Sequence, residues 1–442
     1  MEEPRANEPA IGKRIALWSE TLPFLIAIIA ACICYALFFR RGAWLSVIGY
    51  SVSPAERVLY GEVPYRDFLY NYTPGILWLN ALLMWLFGAG VLTINAGLFV
   101  VKLLTVAALY YAGRRLTSSW AALAPVGLAL AWIGYRYVFG VFPTQYSMLF
   151  ILLGLVCMLR YDETEKIIWL LLSGCLIGMV FVFKYNVGIL LLATGTAAVV
   201  IRELALSSGP ILARVIPVLK RCGVFWAGFA IVAGAMALYL AYNDALGPMA
   251  DHFLNHVLAY GQERAIPLPP IKHLGPSLLA LVLLAAAALV VLLLAPRYYQ
   301  AFLVIAVLIC SVALLIPGRA YYLKQSAIAF ASYMPILLFT LVAAWLVWRL
   351  RSELKKNRTL EDWWAGARTL TIVGLIASGT FLEIYPRADL YHIVRVLPPV
   401  FLLLLVVFGK SWPLVDSFIS TREKAGRRAT LLTFASPVMI LA

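Results

Sequence analysis

Long apolar runs alternate with short polar connections from residue 19 to residue 410. These runs predict about twelve transmembrane α-helices, because about 20 apolar residues in a helix cross roughly 30 Å of hydrocarbon. The predicted spans are 19–39, 94–112, 120–139, 144–160, 167–183, 187–203, 223–242, 275–296, 299–316, 326–348, 369–384 and 396–410. The pattern therefore predicts an all-α polytopic membrane protein.

One further apolar run, residues 75–92, reads GILWLNALLMWLFGAGVL. As a span it would invert the orientation of all later helices and place the basic segment RLRSELKKNR outside, against the positive-inside rule. We therefore predict a helix that lies in the outer interface, a depth that suits Trp78 and Trp85.

The basic residues predict the orientation. Roughly two thirds of the 36 lysines and arginines fall on the side that holds the amino terminus, and RLRSELKKNR and TREKAGRR are both among them. The sequence thus predicts a cytoplasmic amino terminus and an outer loop at 40–93. We assign residues 1–410 to one transmembrane domain and residues 411–442 to a cytoplasmic basic tail with a short apolar end.

Composition agrees with this interpretation. Of 442 residues, 63% are apolar and only 13% are charged, which excludes an ordinary soluble domain. The net charge of +15 is explained by membrane orientation, so no nucleic-acid partner is predicted. The six cysteines form no CxxC pair and lie in or beside apolar runs, as small buried residues do.

Polar residues concentrate on the outer connections YGEVPYRDFLYNYTPG, FKYN, PGRAYYLKQ and IYPRADLYHIVR. Ionisable side chains on short, otherwise apolar turns are costly without partners and often mark a functional site. The candidate site residues are Tyr65, Arg66, Asp67, Tyr72, Lys184, Asn186, Arg319, Arg387, Asp389 and His392.

Each candidate also has a structural interpretation. The tyrosines are typical of an aromatic belt, Lys184 can extend towards the headgroups, and Arg387 can simply pair with Asp389. His252 and His256 have the i, i+4 spacing of zinc ligands, but no third ligand follows at a clear spacing. We therefore assign no metal site, predict no cofactor with certainty, and leave a divalent metal open.

The outer residues combine three chemical capabilities. An aspartate at the water edge can accept a proton from a hydroxyl nucleophile. Arginine and lysine can stabilise charge on a phosphate leaving group, and aromatic faces can stack on sugar rings. The sequence contains no P-loop, dinucleotide fingerprint, HExxH or GxSxG motif. This favours a lipid-phosphate donor over a cytoplasmic nucleotide.

The segment GEVPYRDFLYNYTPGILWLNALLMWLFG resembles the first outer loop of bacterial GT-C class membrane glycosyltransferases. These enzymes are relatives of the protein O-mannosyltransferases and of the lipid A aminoarabinose transferase. In them G-x-x-P-Y-x-D-F precedes P-G or P-P and an interfacial helix ending in FG. FKYN resembles their K-x-N turn, and YPRADLYHI a Tyr-Pro-Arg-x-Asp-x-x-His turn. The resemblance covers most of residues 15–410.

The resemblance implies a GT-C-like fold and an inverting hexosyl- or pentosyltransferase. It would move a sugar from a polyprenyl-phosphate carrier to a lipid or glycan acceptor, on the extracytoplasmic face of the bacterial inner (plasma) membrane. Carried over residue by residue, it implies that Asp67, or secondly Asp389, serves as base or orients the acceptor. It makes Arg66, Lys184 and Arg387 candidates for the carrier phosphate.

The sequence departs from the family at one place. The family usually carries an Asp, often Asp-Glu, soon after the first span, whereas residues 43–57 read AWLSVIGYSVSPAER, with no acid before Glu56. Either Asp67 or Asp389 takes the role of base, or the chain is a non-catalytic carrier or flippase-like protein for lipid-linked glycans. A carrier should place partnered charges near mid-membrane. Only Lys102 is a clear mid-span charge, which favours the transferase.

Overall fold

The computed structural model describes residues 10–39, 48–133, 141–257, 265–275 and 321–425, with isolated positions between 259 and 287. Within these ranges the chain is helical, and its extended pairings are two isolated bridges. The α-helices are α1 (Ala10–Phe38), α2 (Ser53–Leu59), α3 (Gly75–Phe87), α4 (Val91–Leu116), α5 (Leu123–Ile133), α6 (Pro143–Thr164), α7 (Ile167–Phe183), α8 (Tyr185–Leu206), α9 (Ile211–Tyr242), α10 (Leu246–His252), α11 (Tyr321–Lys355), α12 (Leu360–Phe381) and α13 (Leu390–Ala425).

Seven helices in the described ranges are long and apolar enough to cross a membrane. They are Val91–Leu116, Pro143–Thr164, Tyr185–Leu206, Leu212–Tyr242, Ile328–Lys355, Leu360–Ile384 and His392–Lys410. Each contains or closely overlaps a predicted span. Large apolar side chains such as Leu104, Leu238 and Trp348 lie exposed on these helices, as lipid-facing side chains do. The chain is a multi-pass α-helical membrane protein.

The other five predicted spans fall into three groups. Thr21–Leu37 within the first span and Ile167–Phe183, the fifth, are shorter apolar helices. The third span, 120–139, is described as far as Ile133 and contains α5 (Leu123–Ile133). The predicted spans 275–296 and 299–316, together with Arg319 and the apolar end of the tail, lie outside the continuous described ranges. The total of about twelve therefore stays a prediction.

Residues 75–92 do not form one continuous helix. Helix α3 has 13 residues and ends before Gly88, whose φ of +92° suits glycine. A helix of this length extends about 20 Å, short of the hydrocarbon thickness. Helix α4 begins after Gly88 as a separate element. The interface location predicted for this segment is compatible with its length.

Helices α7 and α9 pack closely because each has a glycine where the two helices touch. A side chain at Gly174 of α7 would clash with the backbone of Phe225, and one at Gly228 of α9 with the backbone of Leu171. Small residues of this kind let transmembrane helices approach closely. Helix α6 is the most buried of these seven helices. In its apolar stretch 78% of the residues are buried within the protein, compared with 22% in α9.

The helices define two ends of the bundle. We call the end that carries residues 60–74 and Lys184 the loop end, because the candidate site residues lie there. We call the other end, where α4, α6 and α11 terminate at Leu116, Thr164 and Lys355, the basic end. The charge pattern predicts that the loop end faces outwards.

Cysteine labelling tests this orientation. In a variant without the six native cysteines, Tyr60→Cys and Asn255→Cys at the loop end should react with a membrane-impermeant maleimide added to intact cells. Lys356→Cys, at the basic end, should react only after permeabilisation. All three positions are exposed, so accessibility to water is matched. Labelling of Lys356→Cys from outside would contradict the predicted orientation.

Candidate active site

Residues 63–68 form a tight hairpin at the loop end. The Tyr65 amide donates to the Phe68 carbonyl at 2.7 Å, with Tyr65 at a φ of +72°. The Asp67 carboxylate closes the hairpin by accepting from the Val63 amide at 2.7 Å and from both Nε and Nη2 of Arg66 at 2.9 Å. The Arg66 guanidinium and the Val63 amide lower the pKa of Asp67 to about 2. Asp67 is therefore ionised and its oxygens are bound within the loop.

The segment after the hairpin is bonded to the end of α7. Thr73 Oγ1 donates to the Phe181 carbonyl at 2.8 Å, and the Tyr65 hydroxyl donates to the Tyr72 carbonyl. The Asn71 side chain contacts Nε2 of the buried His252 at 3.1 Å. These bonds hold the Tyr72 ring with its centroid 5.9 Å from the Lys184 ammonium.

Lys184 alone connects α7 to α8. Its backbone is extended, with φ of −153° and ψ of 96°, so that one helix ends at Phe183 and the next begins at Tyr185. The turn is tight because Gly188 lies against Phe181, where a Cβ would clash with the backbone. The turn therefore positions Lys184 at the loop end, between two apolar helices.

A buried ion pair holds the Lys184 side chain. The ammonium pairs with Glu383 Oε1 and donates to Thr144 Oγ1 at 2.9 Å, while the Thr144 hydroxyl donates to Glu383 Oε1 at 2.6 Å. Lys184 is 7% exposed and Glu383 is fully buried. Burial lowers the pKa of Lys184, and the charge of Glu383 opposes that effect.

The turn at residues 385–389 carries the second group of candidate residues. It is held in place because the Ile266 amide donates to the Pro386 carbonyl and the Ala388 amide donates to the Ile266 carbonyl, both at 2.9 Å. The Tyr385–Pro386 peptide bond within this turn is cis. The turn leads directly into α13, so its side chains lie beside the first turn of that helix.

Asp389 contacts Arg387 and His392. Its Oδ1 lies 2.8 Å from His392 Nδ1 and accepts from the His392 amide at 3.1 Å, while Oδ2 lies 3.2 Å from Arg387 Nη2. Burial raises the pKa of Asp389, but the bonds from His392 and the charge of Arg387 outweigh it, so the pKa lies below its ordinary value. Asp389 is therefore ionised at neutral pH.

The two groups form one electrostatic cluster. The charges of Asp389 and Arg395 both act on Lys184, and those of Lys184 and Arg395 act on His392. The Arg395 guanidinium lies 3.9 Å from the centroid of the Phe142 ring. We call Thr144, Lys184, Glu383, Arg387, Asp389, His392 and Arg395 the loop-end cluster.

Three buried polar atoms in or beside the loop-end cluster have no hydrogen-bond partner among the described residues. They are Glu383 Oε2, Asn186 Oδ1 and Arg387 Nε. Unpaired buried polar atoms are rare in folded proteins and call for an explanation in each case. Their position next to the charged cluster makes it the best candidate for binding a polar ligand.

The structure divides the sequence-predicted residues into two groups. Lys184, Arg387, Asp389 and His392 meet in the loop-end cluster, with the Tyr72 ring close to the Lys184 ammonium and Asn186 two residues along the chain. Asp67 and Arg66 instead bond within the hairpin, and Arg66 Nη1 reaches the Asn243 carbonyl at 3.4 Å.

Tyr65 lies between the two groups of site residues. Its hydroxyl bonds to the Tyr72 carbonyl, and its ring is 5.9 Å from Phe253, which in turn stacks on Tyr185 at 4.7 Å. The hairpin and the cluster are thus neighbours joined by aromatic contacts. Arg319 lies outside the described residues.

Sequence reasoning missed Glu383 and Thr144. Glu383 is an acid at the end of an otherwise apolar run, and such a residue in a membrane segment is a signal of function. Its partner Lys184 is 199 residues away, so the pairing itself has no local signature. Thr144 follows Pro143 at the start of α6 and carries no signal of its own.

The described residues contain no group of three or more His, Cys, Asp or Glu side chains arranged to hold a metal ion. His252 bonds to Asn71, and the side chain of His256 lies outside the described part. The functional groups that the structure does bring together at the loop end are cations, an ionised carboxylate and aromatic rings.

Comparisons with known proteins identify the fold. Residues 71–226, about a third of the chain, match the family model described as dolichyl-phosphate-mannose-protein mannosyltransferase. The bundle has the fold of the GT-C membrane glycosyltransferases, and the resemblance suggested by the loop motifs is confirmed at that level.

Solved structures with a similar fold include ArnT from Cupriavidus metallidurans, bound to undecaprenyl phosphate. The TM-score is 0.50 and the identity 16%, with 93% of this chain and 63% of that chain covered. This chain thus spans less than two thirds of that protein's length.

The oligosaccharyltransferase AglB from Archaeoglobus fulgidus, in complex with an inhibitory peptide and a dolichol-phosphate, also matches. Its TM-score is 0.47 and its identity 11%, with 96% of this chain and 53% of that chain covered. No curated protein matches the chain in sequence.

Proposed function

We propose that this chain transfers a sugar from a polyprenyl-phosphate carrier to a lipid or glycan acceptor, with inversion at the anomeric carbon. The observation that carries the proposal is the loop-end cluster, where buried Lys184 and half-buried Arg387 converge beside the ionised Asp389. The match to a mannosyltransferase family model and the undecaprenyl phosphate bound to ArnT support it. We further propose that the reaction occurs on the outer face of a bacterial plasma membrane, with the amino terminus cytoplasmic; the excess of basic residues at the basic end supports this orientation.

The cations would bind the carrier phosphate. The Lys184 ammonium has three N–H donors, and the bonds to Glu383 and Thr144 use two of them. The third donor and the unpaired Nε of Arg387 remain for phosphate oxygens. As the bond between the anomeric carbon and the phosphate oxygen breaks, negative charge grows on the phosphate, and these cations stabilise it.

Asp389 is the carboxylate that the geometry favours as base. Its half-buried, ionised side chain belongs to the same cluster as Lys184, so a base and a phosphate site lie together. It would accept the proton of the acceptor hydroxyl while the acceptor oxygen attacks the anomeric carbon opposite the leaving phosphate. One displacement by one nucleophile inverts that carbon. Asp67 would fix the hairpin beside the cluster.

A non-catalytic carrier for lipid-linked glycans is the second candidate, because Lys102 is a buried charge within α4. It is 8% exposed and its ammonium lies 5.3 Å from the centroid of the Tyr35 ring. Charged side chains inside membrane helices often mark transport routes. The transferase is favoured because the charged site residues concentrate at one end of the bundle.

Release of polyprenyl phosphate tests the proposed function. Purified protein would be mixed with a panel of polyprenyl-phosphate-linked hexoses and pentoses and an acceptor extract, with and without EDTA to test for a divalent metal. Formation of free polyprenyl phosphate and a new glycoconjugate is expected for at least one donor. Movement of intact donor between leaflets of proteoliposomes, without bond cleavage, would support the carrier and contradict the transferase.

Arg387→Ala should weaken binding of polyprenyl phosphate about tenfold or more, because a charged hydrogen bond contributes about 1.5–3 kcal/mol. Arg387→Lys should recover little, since a planar guanidinium grips two phosphate oxygens and an ammonium acts as a point charge. Binding is measured by tryptophan fluorescence titration. Arg358→Ala serves as the control, because Arg358 pairs with Glu353 at the other end. An Arg387→Ala variant that binds as the parent does would remove Arg387 from the site.

A further inference from the structure

A second group of cations lies at the basic end, away from the loop-end cluster. Arg349 of α11, Arg368 of α12 and Lys410 of α13 come from three different helices. The Arg349 guanidinium packs directly against Gly366, where any side chain would overlap it, and the Lys410 ammonium donates to the Gly366 carbonyl at 2.8 Å. The charges of Arg349 and Arg368 both act on Lys410.

Among the described side chains, one carboxylate contacts this group, and it does so through Arg368 alone. Arg368 Nη1 lies 3.6 Å from Asp162 Oδ2. The other oxygen of Asp162 already accepts from Arg202 Nε and Trp364 Nε1, each at 3.0 Å. The group therefore carries excess positive charge.

Arg349 provides an independent sign of a missing partner. Its Nε is buried and has no hydrogen-bond partner within the described part of the chain. Its guanidinium lies 5.4 Å from the Trp345 ring centroid, a contact with the ring that does not use Nε as a hydrogen-bond donor.

The depth of the group matches that of lipid headgroups. Arg349 lies six residues before the end of α11 and Arg368 eight residues after the start of α12, so each sits about 9–12 Å inside the helix end. Trp348, next to Arg349 in α11, is 64% exposed, and exposed tryptophans at this depth mark the membrane interface.

We propose that Arg349, Arg368 and Lys410 form a binding site for a phosphate group at the basic end, supplied by the headgroup of an anionic phospholipid. Three converging cations, only one of which contacts a carboxylate, suit a phosphodiester, whose charge they neutralise. Their depth in the bundle favours a lipid over a soluble anion. The site is distinct from the one proposed for sugar transfer and stands whether or not that function holds.

Lipid titration tests the proposal. The full-length protein in detergent is titrated separately with phosphatidylglycerol, phosphatidylcholine and inorganic phosphate, and binding is read from retained lipid in native mass spectrometry and from the thermal unfolding midpoint. Phosphatidylglycerol should bind and raise the midpoint, and phosphatidylcholine should not. Arg349→Gln/Lys410→Gln should bind phosphatidylglycerol roughly thirtyfold more weakly, since each cation near an anionic lipid contributes about fivefold.

Lys355→Gln/Lys356→Gln is the matched control. It removes the same charge at the same end, from exposed residues outside the cluster, and should weaken binding no more than about twofold. Equal losses in both double variants would show diffuse attraction and overturn the site. A response to inorganic phosphate as strong as that to phosphatidylglycerol would overturn the lipid as the source. If the cluster variant fails to fold, equal binding of the two lipids by the parent protein would still refute the proposal.

Discussion

Asp389→Asn is expected to slow sugar transfer by roughly a hundred- to ten-thousand-fold, the usual effect of removing a general base. The asparagine keeps the shape of the side chain and can still accept from the His392 amide and contact Arg387. It has no carboxylate to take the acceptor proton. Donor binding should change much less, because Lys184 and Arg387 hold the phosphate in the proposed site. Turnover is measured as release of polyprenyl phosphate, and binding by titration of the carrier.

Asp67→Asn is the informative comparison. Asp67 binds Arg66 and the Val63 amide, so its replacement should loosen the hairpin, lower the thermal unfolding midpoint and weaken donor binding together. Turnover of bound donor should remain. If Asp67→Asn instead abolishes turnover with donor binding unchanged, and Asp389→Asn stays active, the base is Asp67 and the assignment made from the geometry is wrong.

Lys184→Met is expected to lower the free energy of unfolding by about 3–5 kcal/mol, the usual cost of breaking a buried ion pair from one side. The substitution keeps the apolar length of the side chain but leaves the fully buried Glu383 without its cation. Unfolding in mixed micelles followed by circular dichroism gives the free energy. Binding of polyprenyl phosphate should be lost in the same variant.

The double variant Lys184→Met/Glu383→Gln separates these two effects. Glutamine is neutral and can still accept from Thr144, so most of the lost stability should return. Donor binding should not return, because the ammonium that faces the phosphate is still absent. Recovery of both properties would mean that Lys184 serves only the fold. Arg202, in an ion cluster at the basic end, offers a control whose replacement should destabilise the protein without a direct effect on donor contacts.

Hydropathy predicted the helix bounds well wherever one apolar run of the sequence forms one helix. The predicted span 167–183 has the bounds of α7, and 187–203 lies within α8. Hydropathy was less informative where helices extend past the apolar core, as in α13, which continues to Ala425. Polar side chains near a helix end reach water, so they cost little free energy there. They end the apolar run of the sequence, but the helix itself continues.

The sequence identified several residues of the candidate site, but it did not indicate which of them form ion pairs or hydrogen bonds with each other. Short motifs identified Lys184, Arg387 and Asp389, because charge on an apolar turn is conspicuous. Glu383 went unnoticed as the partner of Lys184, since only the packing of α12 against α8 brings them together. Likewise, nothing in the sequence indicates that Asp67 bonds to the Val63 amide, because that bond depends on the left-handed backbone of Tyr65.

The single-residue connection at Lys184 has a consequence for protein engineering. An inserted residue there would add up to about 3.5 Å of chain to a turn that has only one extended residue, so α7 and α8 could not keep both their contact and the Lys184 position. The next connection, Ser207–Pro210, is longer, includes exposed residues and contains Gly209 at a φ of +99°. Epitope tags and split-protein junctions therefore belong at residues 207–210, and tags at residue 184 would disrupt the tight turn between α7 and α8 and the ion pair of Lys184 with Glu383.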